Sequence, residues 1–223
     1  MEDISLREAL VMALHLMHFL PERVMEMAPK RRRPLMIASD AQASRVIGGV
    51  FAAVMIVDCD TNELWGRVWT FSSADLEALG YPDFPMENET RNPIAAAEVA
   101  AVTATYEHLL NHRPEVIAYR GVIHWIDNTV ALHSVVKGGS KNKAVDRACT
   151  AVRTICLVAR CRPWFEYIRS EANWSDGASR ELVEDVYAKE NGLTLDVLIF
   201  PRWLWLVSLS DMWKAVIRYR VHK

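Results

Sequence analysis

The sequence has no excess charge of either sign, no paired cysteine motif and no apolar run long enough to cross a bilayer. Its 26 Lys and Arg against 28 Asp and Glu leave a formal net charge of −2, so no global basic field advertises a polyanionic partner. Such a partner has to be held by local patches. Three are present: Lys30 to Arg33; Lys137, Lys141, Lys143 and Arg147; and Lys214, Arg218, Arg220 and Lys223. Each also reads as ordinary solvated surface. Cys59, Cys149, Cys156 and Cys161 form no Cys-x-x-Cys pair, which excludes the usual zinc spacing. Met1-Glu2-Asp3 is acidic where a secretory signal would be basic, so the thiols are expected to be reduced and the protein intracellular, cytoplasmic or nuclear. The first apolar stretch carries His15 and His18, and the run from Leu195 to Leu209 is broken by Asp196, Pro201 and Arg202. Both fall short of a span, so no membrane association is expected. Repeats and low-complexity segments are absent.

What is present is core. Apolar residues make up 51% of the 223 and charged residues 24%, which suits one domain with extensions. An amphipathic helix is expected over residues 4–28, kinked or divided at Pro21. Three strands follow, over Pro34 to Asp40, Val46 to Val57 and Leu64 to Phe71, joined by short turns as an antiparallel meander. Residues 72–91 read as a loop with one helical turn near Ala74 to Leu79. A helix opens at Asn92-Pro93, with Asn as cap, and runs to about Asn111. Then come a strand at Val122 to Ile126, helices at Thr129 to Val136 and Lys143 to Val158, a strand at Trp164 to Arg169, and a helix at Ala178 to Lys189. The order β-β-β-α-β-α-α-β-α predicts an α/β fold: a mixed sheet whose last two strands run parallel to the first, flanked by helices.

Within this order, four carboxylates stand out. Asp40 and Asp127 each close a short apolar strand, and if those strands are parallel neighbours both emerge at one carboxyl-terminal edge, where open α/β sheets bind ligands. Asp127 also reads as a cap for the next helix. Glu98 shares a helical stripe with Ile94, Ala101, Val102 and Thr105, which should face the sheet; a carboxylate there is costly without a cation. A rotated helix that leaves Glu98 at the boundary is the alternative. Asp176, before the last helix, reads alone as an N-cap. Carboxylates gathered without a His/Cys ligand set suit hard cations such as Mg²⁺ or Mn²⁺. Two such ions about 4 Å apart can activate a water and stabilise the leaving oxygen of a phosphodiester.

Ser39-Asp40-Ala41 with Gly48-Gly49-Val50, Ala97-Glu98, Trp125-Ile126-Asp127-Asn128-Thr129 and the segment Ser170 to Arg180 occur in an order similar to that of the ribonuclease H domain following the polymerase in retrotransposon reverse transcriptases. The resemblance covers roughly Pro34 to Arg180. It implies a five-stranded ribonuclease H-like sheet, binding of RNA/DNA hybrids, and hydrolysis of the RNA strand to 3′-hydroxyl and 5′-phosphate ends. It further implies a catalytic, metal-binding quartet of Asp40, Glu98, Asp127 and Asp176 holding two Mg²⁺ ions, with Mn²⁺ as a substitute. Asp40 would bridge both ions. The implied substrate-binding set is Gly48, Gly49, Asn128, Lys137, Asn173 and Trp174. Residues 1–33 are expected to be an extension left from the polymerase connection, 34–190 the ribonuclease H-like domain and 191–223 an apolar and basic tail, with a polymerase domain supplied by a longer parent polyprotein. The loop before Asp176 lacks the histidine that cellular members use in product release, so slow turnover is expected. No Tyr-x-Asp-Asp motif points to DNA synthesis.

Other features carry a plainer reading beside the functional one. His108 and His112 lie four apart, but Leu109 stands where a metalloprotease needs glutamate. Asp58 and Asp60 sit in hairpin-turn sequence. Lys137-Gly138-Gly139-Ser140 reads as a phosphate contact or a helix stop. Trp174 reads as a stacking residue or as packing, and Trp203, Trp205 and Trp213 as cover for the domain or a partner interface. Two further function classes stay open: a catalytically inactive nucleic-acid-binding or structural remnant, and a nuclease of the DNA strand-transfer or resolvase kind.

Overall fold

A computed structural model describes residues 32–44, 49–82, 93–181, 185–193 and 195–200. Strands β1 (Leu35–Ser44), β2 (Gly49–Asp58) and β3 (Glu63–Phe71) form the expected antiparallel meander. The β2–β3 turn closes through Asn62, whose φ of 58° places it in the left-handed region and whose N–H donates to the Asp58 carbonyl at 2.7 Å. Helix α1 (Ser73–Ala78) is held by a capping box between Ser72 and Asp75.

Helix α2 (Ile94–His112) starts one residue later than the sequence suggests. Pro93 precedes the first helical residue and its carbonyl accepts the Ala97 N–H at 2.9 Å, so Pro93 takes the cap position. Asn92 lies outside the described residues. Pro114 ends α2 and opens the short helix α3 (Pro114–Ile117), which the sequence reading missed. Strand β4 (Gly121–Ile126) leads into α4 (Thr129–Lys137) and α5 (Lys143–Ala159), capped by Asn128 and Asn142. Strand β5 (Arg162–Tyr167) precedes a 3₁₀ turn at Ser170–Ala172. The helix expected from Ala178 to Lys189 is instead two, α6 (Asp176–Glu181) and α7 (Val186–Glu190). The break is fixed by Asp185, whose carboxylate caps α7 by accepting the Ala188 N–H at 2.7 Å. A final strand, β6 (Leu195–Ile199), comes from residues read as tail.

The sheet order is β5-β4-β1-β2-β3-β6. β4 pairs parallel with β1 and β5 parallel with β4, as expected, and β6 adds a sixth strand parallel to β3. Register assigns the faces. His124 pairs with Ile37 and stacks under Tyr106 of α2, while the neighbouring parity of β2 carries Ala53 and Met55, which pack with Val68, Ala178, Ala188 and Leu195. Helices α2 and α6 therefore cover opposite faces. Helix α2 is enclosed by the sheet, α4 and α5, and its residues from Ala96 to Tyr106 are all buried. Its run of alanines permits that close approach.

No helix among the described residues is long and apolar enough to cross a membrane, and all four cysteines are free thiols. The expected helix over residues 4–28, Gly48, the C-terminal basic patch, and Trp203, Trp205 and Trp213 lie outside the described residues.

Candidate metal centre

Asp40 does not end its strand. β1 runs four residues further because Ala41 to Ser44 pair with β2, but its pairing with β4 stops at Ser39–Ile126. Asp40 and Asp127 are thus the next residues on the two parallel strands where their ladder ends. That gap in the ladder leaves room for side chains to meet. Glu98 reaches it from α2. Ligand atoms of Asp40, Glu98 and Asp127 all lie within 4.8 Å of one another.

The alternatives attached to two of these residues resolve against the sequence's plainer options. Helix α4 is capped by Asn128, whose side chain accepts from Val130 and Ala131 at 3.0 and 3.2 Å, so Asp127 is not needed as a cap. Glu98 is not at a boundary: it is 1% exposed. Asn128 favours the charged form of Glu98, yet Glu98 Oε2 is buried with no partner. Burial, with Asp127 and Asp40 close by, pushes the Glu98 carboxyl up to about 9. Burial also pushes Asp40 up to about 7, opposed by a Ser179 hydrogen bond and reinforced by Asp127 and Asp176.

These residues fit a divalent cation. Three carboxylates converge, one oxygen lacks a partner, and among the described residues no ion pair reaches Asp40, Glu98 or Asp127. An all-oxygen donor set selects a hard ion.

Asp176 stands apart from the trio. It is close enough to raise the pKa of Asp40, but its Oδ1 accepts from Arg180 Nε and Nη2 at 3.1 and 2.7 Å. The remaining residues singled out from the sequence divide by surroundings. Asn173 is buried, donates to the Ser39 carbonyl at 3.1 Å and accepts from the Ser175 N–H and hydroxyl. Both Asn173 and Asn128 are thus engaged within the chain. Trp174 is half-buried and meets Trp125 edge-on at 6.1 Å. Gly49 pairs with Ser44 in the β1–β2 ladder. Lys137 is exposed at the end of α4, where Gly138 takes the left-handed conformation (φ 74°) of a helix stop and Arg153 caps the Val136 and Lys137 carbonyls.

Two residues that sequence reasoning missed matter here. Ser179, fully buried on α6, hydrogen-bonds Asp40 Oδ2; its position three after Asp176 on a helix was the available signal. Arg120, also fully buried, grips Asp58 at 2.6 and 2.7 Å, which accounts for that aspartate without a metal.

No family model and no curated protein matches the chain. Similar solved structures include ribonuclease H1 from the archaeon Halobacterium salinarum (12% identity, 63% of this chain and 89% of that one, TM-score 0.43). Another is the N-terminal ribonuclease H domain of a Mycobacterium tuberculosis protein, solved as a fusion with maltose-binding protein (10%, 71% and 98%, 0.47). A third is LC11-RNase H1 in complex with an RNA/DNA hybrid (18%, 70% and 99%, 0.47). Apart from these likenesses, three antiparallel strands followed by two parallel ones beside the first are the sheet that the sequence motifs imply, and the fold is ribonuclease H-like.

Proposed function

We propose that the protein is a retroelement-derived, metal-dependent endonuclease that hydrolyses the RNA strand of RNA/DNA hybrids. The observation that carries this reading is the meeting of Asp40, Glu98 and Asp127 at the end of the β1–β4 ladder, with Glu98 Oε2 buried and unpartnered. Asp40, Glu98 and Asp127 would hold one Mg²⁺ or Mn²⁺; Asp176, on leaving Arg180, would join Asp40 in holding a second. Bound cations of this kind supply Lewis-acid stabilisation of phosphoryl oxygens and an activated water. The chain's own part is to hold the carboxylates rigid. Ser179 fixes Asp40, and Asn173 ties the loop carrying Asp176 to β1. The exposed Lys137 would contact a phosphate, Trp174 would stack against the substrate, and the strand carrying Gly49 would form the floor under the hybrid. Selection of RNA would rest on its 2′-hydroxyl and on the groove shape of the hybrid.

The test is a cleavage panel with Mg²⁺: end-labelled hybrid, duplex DNA and branched DNA. Cutting confined to the RNA strand of the hybrid is expected. Preferential cutting of either DNA substrate would overturn the assignment in favour of a DNA nuclease on the same fold. A second reading, a non-catalytic hybrid-binding remnant, is favoured by one observation: Asp176 is paired with Arg180 and lies outside the trio. Tight hybrid binding with no cleavage in Mg²⁺ or Mn²⁺ would establish it.

A further inference from the structure

Ser179 has a single hydroxyl proton and two acceptors within reach, the Asp40 carboxylate and the Asp176 carbonyl at 2.9 Å. It is fully buried, so no water competes for either bond. Its neighbour Ala178 packs among Ala53, Met55 and Val68, which seats α6 on the sheet face that Asp40 shares through its pairing with Ala53. The Ser179 N–H is itself held by the Ser175 carbonyl at 3.1 Å. The hydroxyl is therefore delivered to Asp40 by a backbone held through the Ser179 N–H and the packing of Ala178.

From this geometry we infer that Ser179 is a positioning residue of the metal centre. It sets the rotation of the Asp40 carboxylate and couples it to the turn bearing Asp176. When a cation occupies the trio, Asp40 is ionised and the hydroxyl proton goes to Oδ2, where a charge-assisted bond forms. Without that bond, the carboxylate loses a restraint on its rotation about Cβ–Cγ and the trio loses part of its preset arrangement. The inference rests on the reading of Asp40, Glu98 and Asp127 as cation ligands.

The test is Mn²⁺ titration of the full chain by calorimetry and by electron paramagnetic resonance, with Ser179→Ala beside wild type and Asp40→Asn. Hydrogen bonds to charged groups are strong enough that Ser179→Ala should weaken Mn²⁺ binding about fivefold or more. The resonance of bound Mn²⁺ should change its line shape, beside a fall in the metal-free thermal midpoint from the lost buried hydrogen bonds. A purely structural serine would lower the midpoint alone and leave the spectrum of bound Mn²⁺ unchanged, which would overturn the inference. So would Mn²⁺ affinity within twofold of wild type, provided that Asp40→Asn abolishes binding. If wild type and Asp40→Asn bind Mn²⁺ alike, the underlying reading of the trio fails, a result distinct from failure of the serine's role.

Discussion

Two buried ionisable residues in this chain meet opposite fates. Arg120 is fully buried and all its donors are engaged: Asp58 takes two, and the Arg33 carbonyl, the Val116 carbonyl and Asp60 take the rest. Removing one partner of such a pair strands the other, so Arg120→Met should cost about 3–5 kcal/mol in urea denaturation at neutral pH. The same pair sets an acid limb. The Arg120 guanidinium holds Asp58 at about 2, below the ordinary 3.8, so the folded state favours the ionised form. That contribution is complete above the ordinary value and disappears as pH falls from about 4 through about 2. Arg120→Met should flatten this part of the stability–pH curve. Glu98 is the contrast, buried with one oxygen left without a partner. Glu98→Gln keeps the shape, removes the cost of a carboxyl that must take up a proton to be buried at neutral pH, and lets the amide donate towards the other carboxylates. It should raise the metal-free thermal midpoint, at about 2–4 °C per kcal/mol gained, and abolish any further rise on adding Mn²⁺. Glu98 was legible in the sequence because a charge among alanines breaks a pattern. Arg120 was not, because nothing in the sequence says that Asp58, sixty-two residues away, will face it.

At the scale of elements, local signals placed the strands and most helices. Asn128 and Asn142 cap as asparagines before helices should, and Gly138 stops α4. The sequence reading failed where the deciding contact is distant. β6 forms because β3 has an edge able to accept it and Gly66 lets it approach: a Cβ there would lie 2.7 Å from Leu195 Cδ2 and 3.0 Å from the Val54 carbonyl oxygen. Read along the chain, Leu195 to Ile199 is only an apolar run, and its pairing with β3 is invisible. Gly66→Val should therefore cost about 1–3 kcal/mol by overpacking. Hydrogen exchange should show β6 amides losing protection first, with β1 and β4 protected as in wild type. Uniform loss across the sheet would contradict the local origin of the effect. The division of α6 from α7 has the same character. Asp185 acts as a cap within a stretch that reads as one continuous helix.

For the whole molecule, the sheet order and the site have one cause. A strand that pairs parallel with β1 only as far as Ser39 leaves Asp40 and Asp127 side by side, and a helix enclosed on all sides can present a carboxylate to them. Three members of the quartet implied by the sequence motifs meet in this way. The fourth, Asp176, is held by Arg180, four residues on along the same helix. The central claim is that the trio loads a divalent cation and cuts RNA in a hybrid. Its most direct test is the cleavage of an end-labelled RNA/DNA hybrid by wild type and Asp40→Asn, each with Mg²⁺ and with chelator, alongside hybrid binding by both. Mg²⁺-dependent cutting of the RNA strand by wild type, at least a hundredfold loss in Asp40→Asn, and retained hybrid binding are expected. Cutting that persists in Asp40→Asn or in chelator, or wild type inert with both Mg²⁺ and Mn²⁺, would contradict the claim.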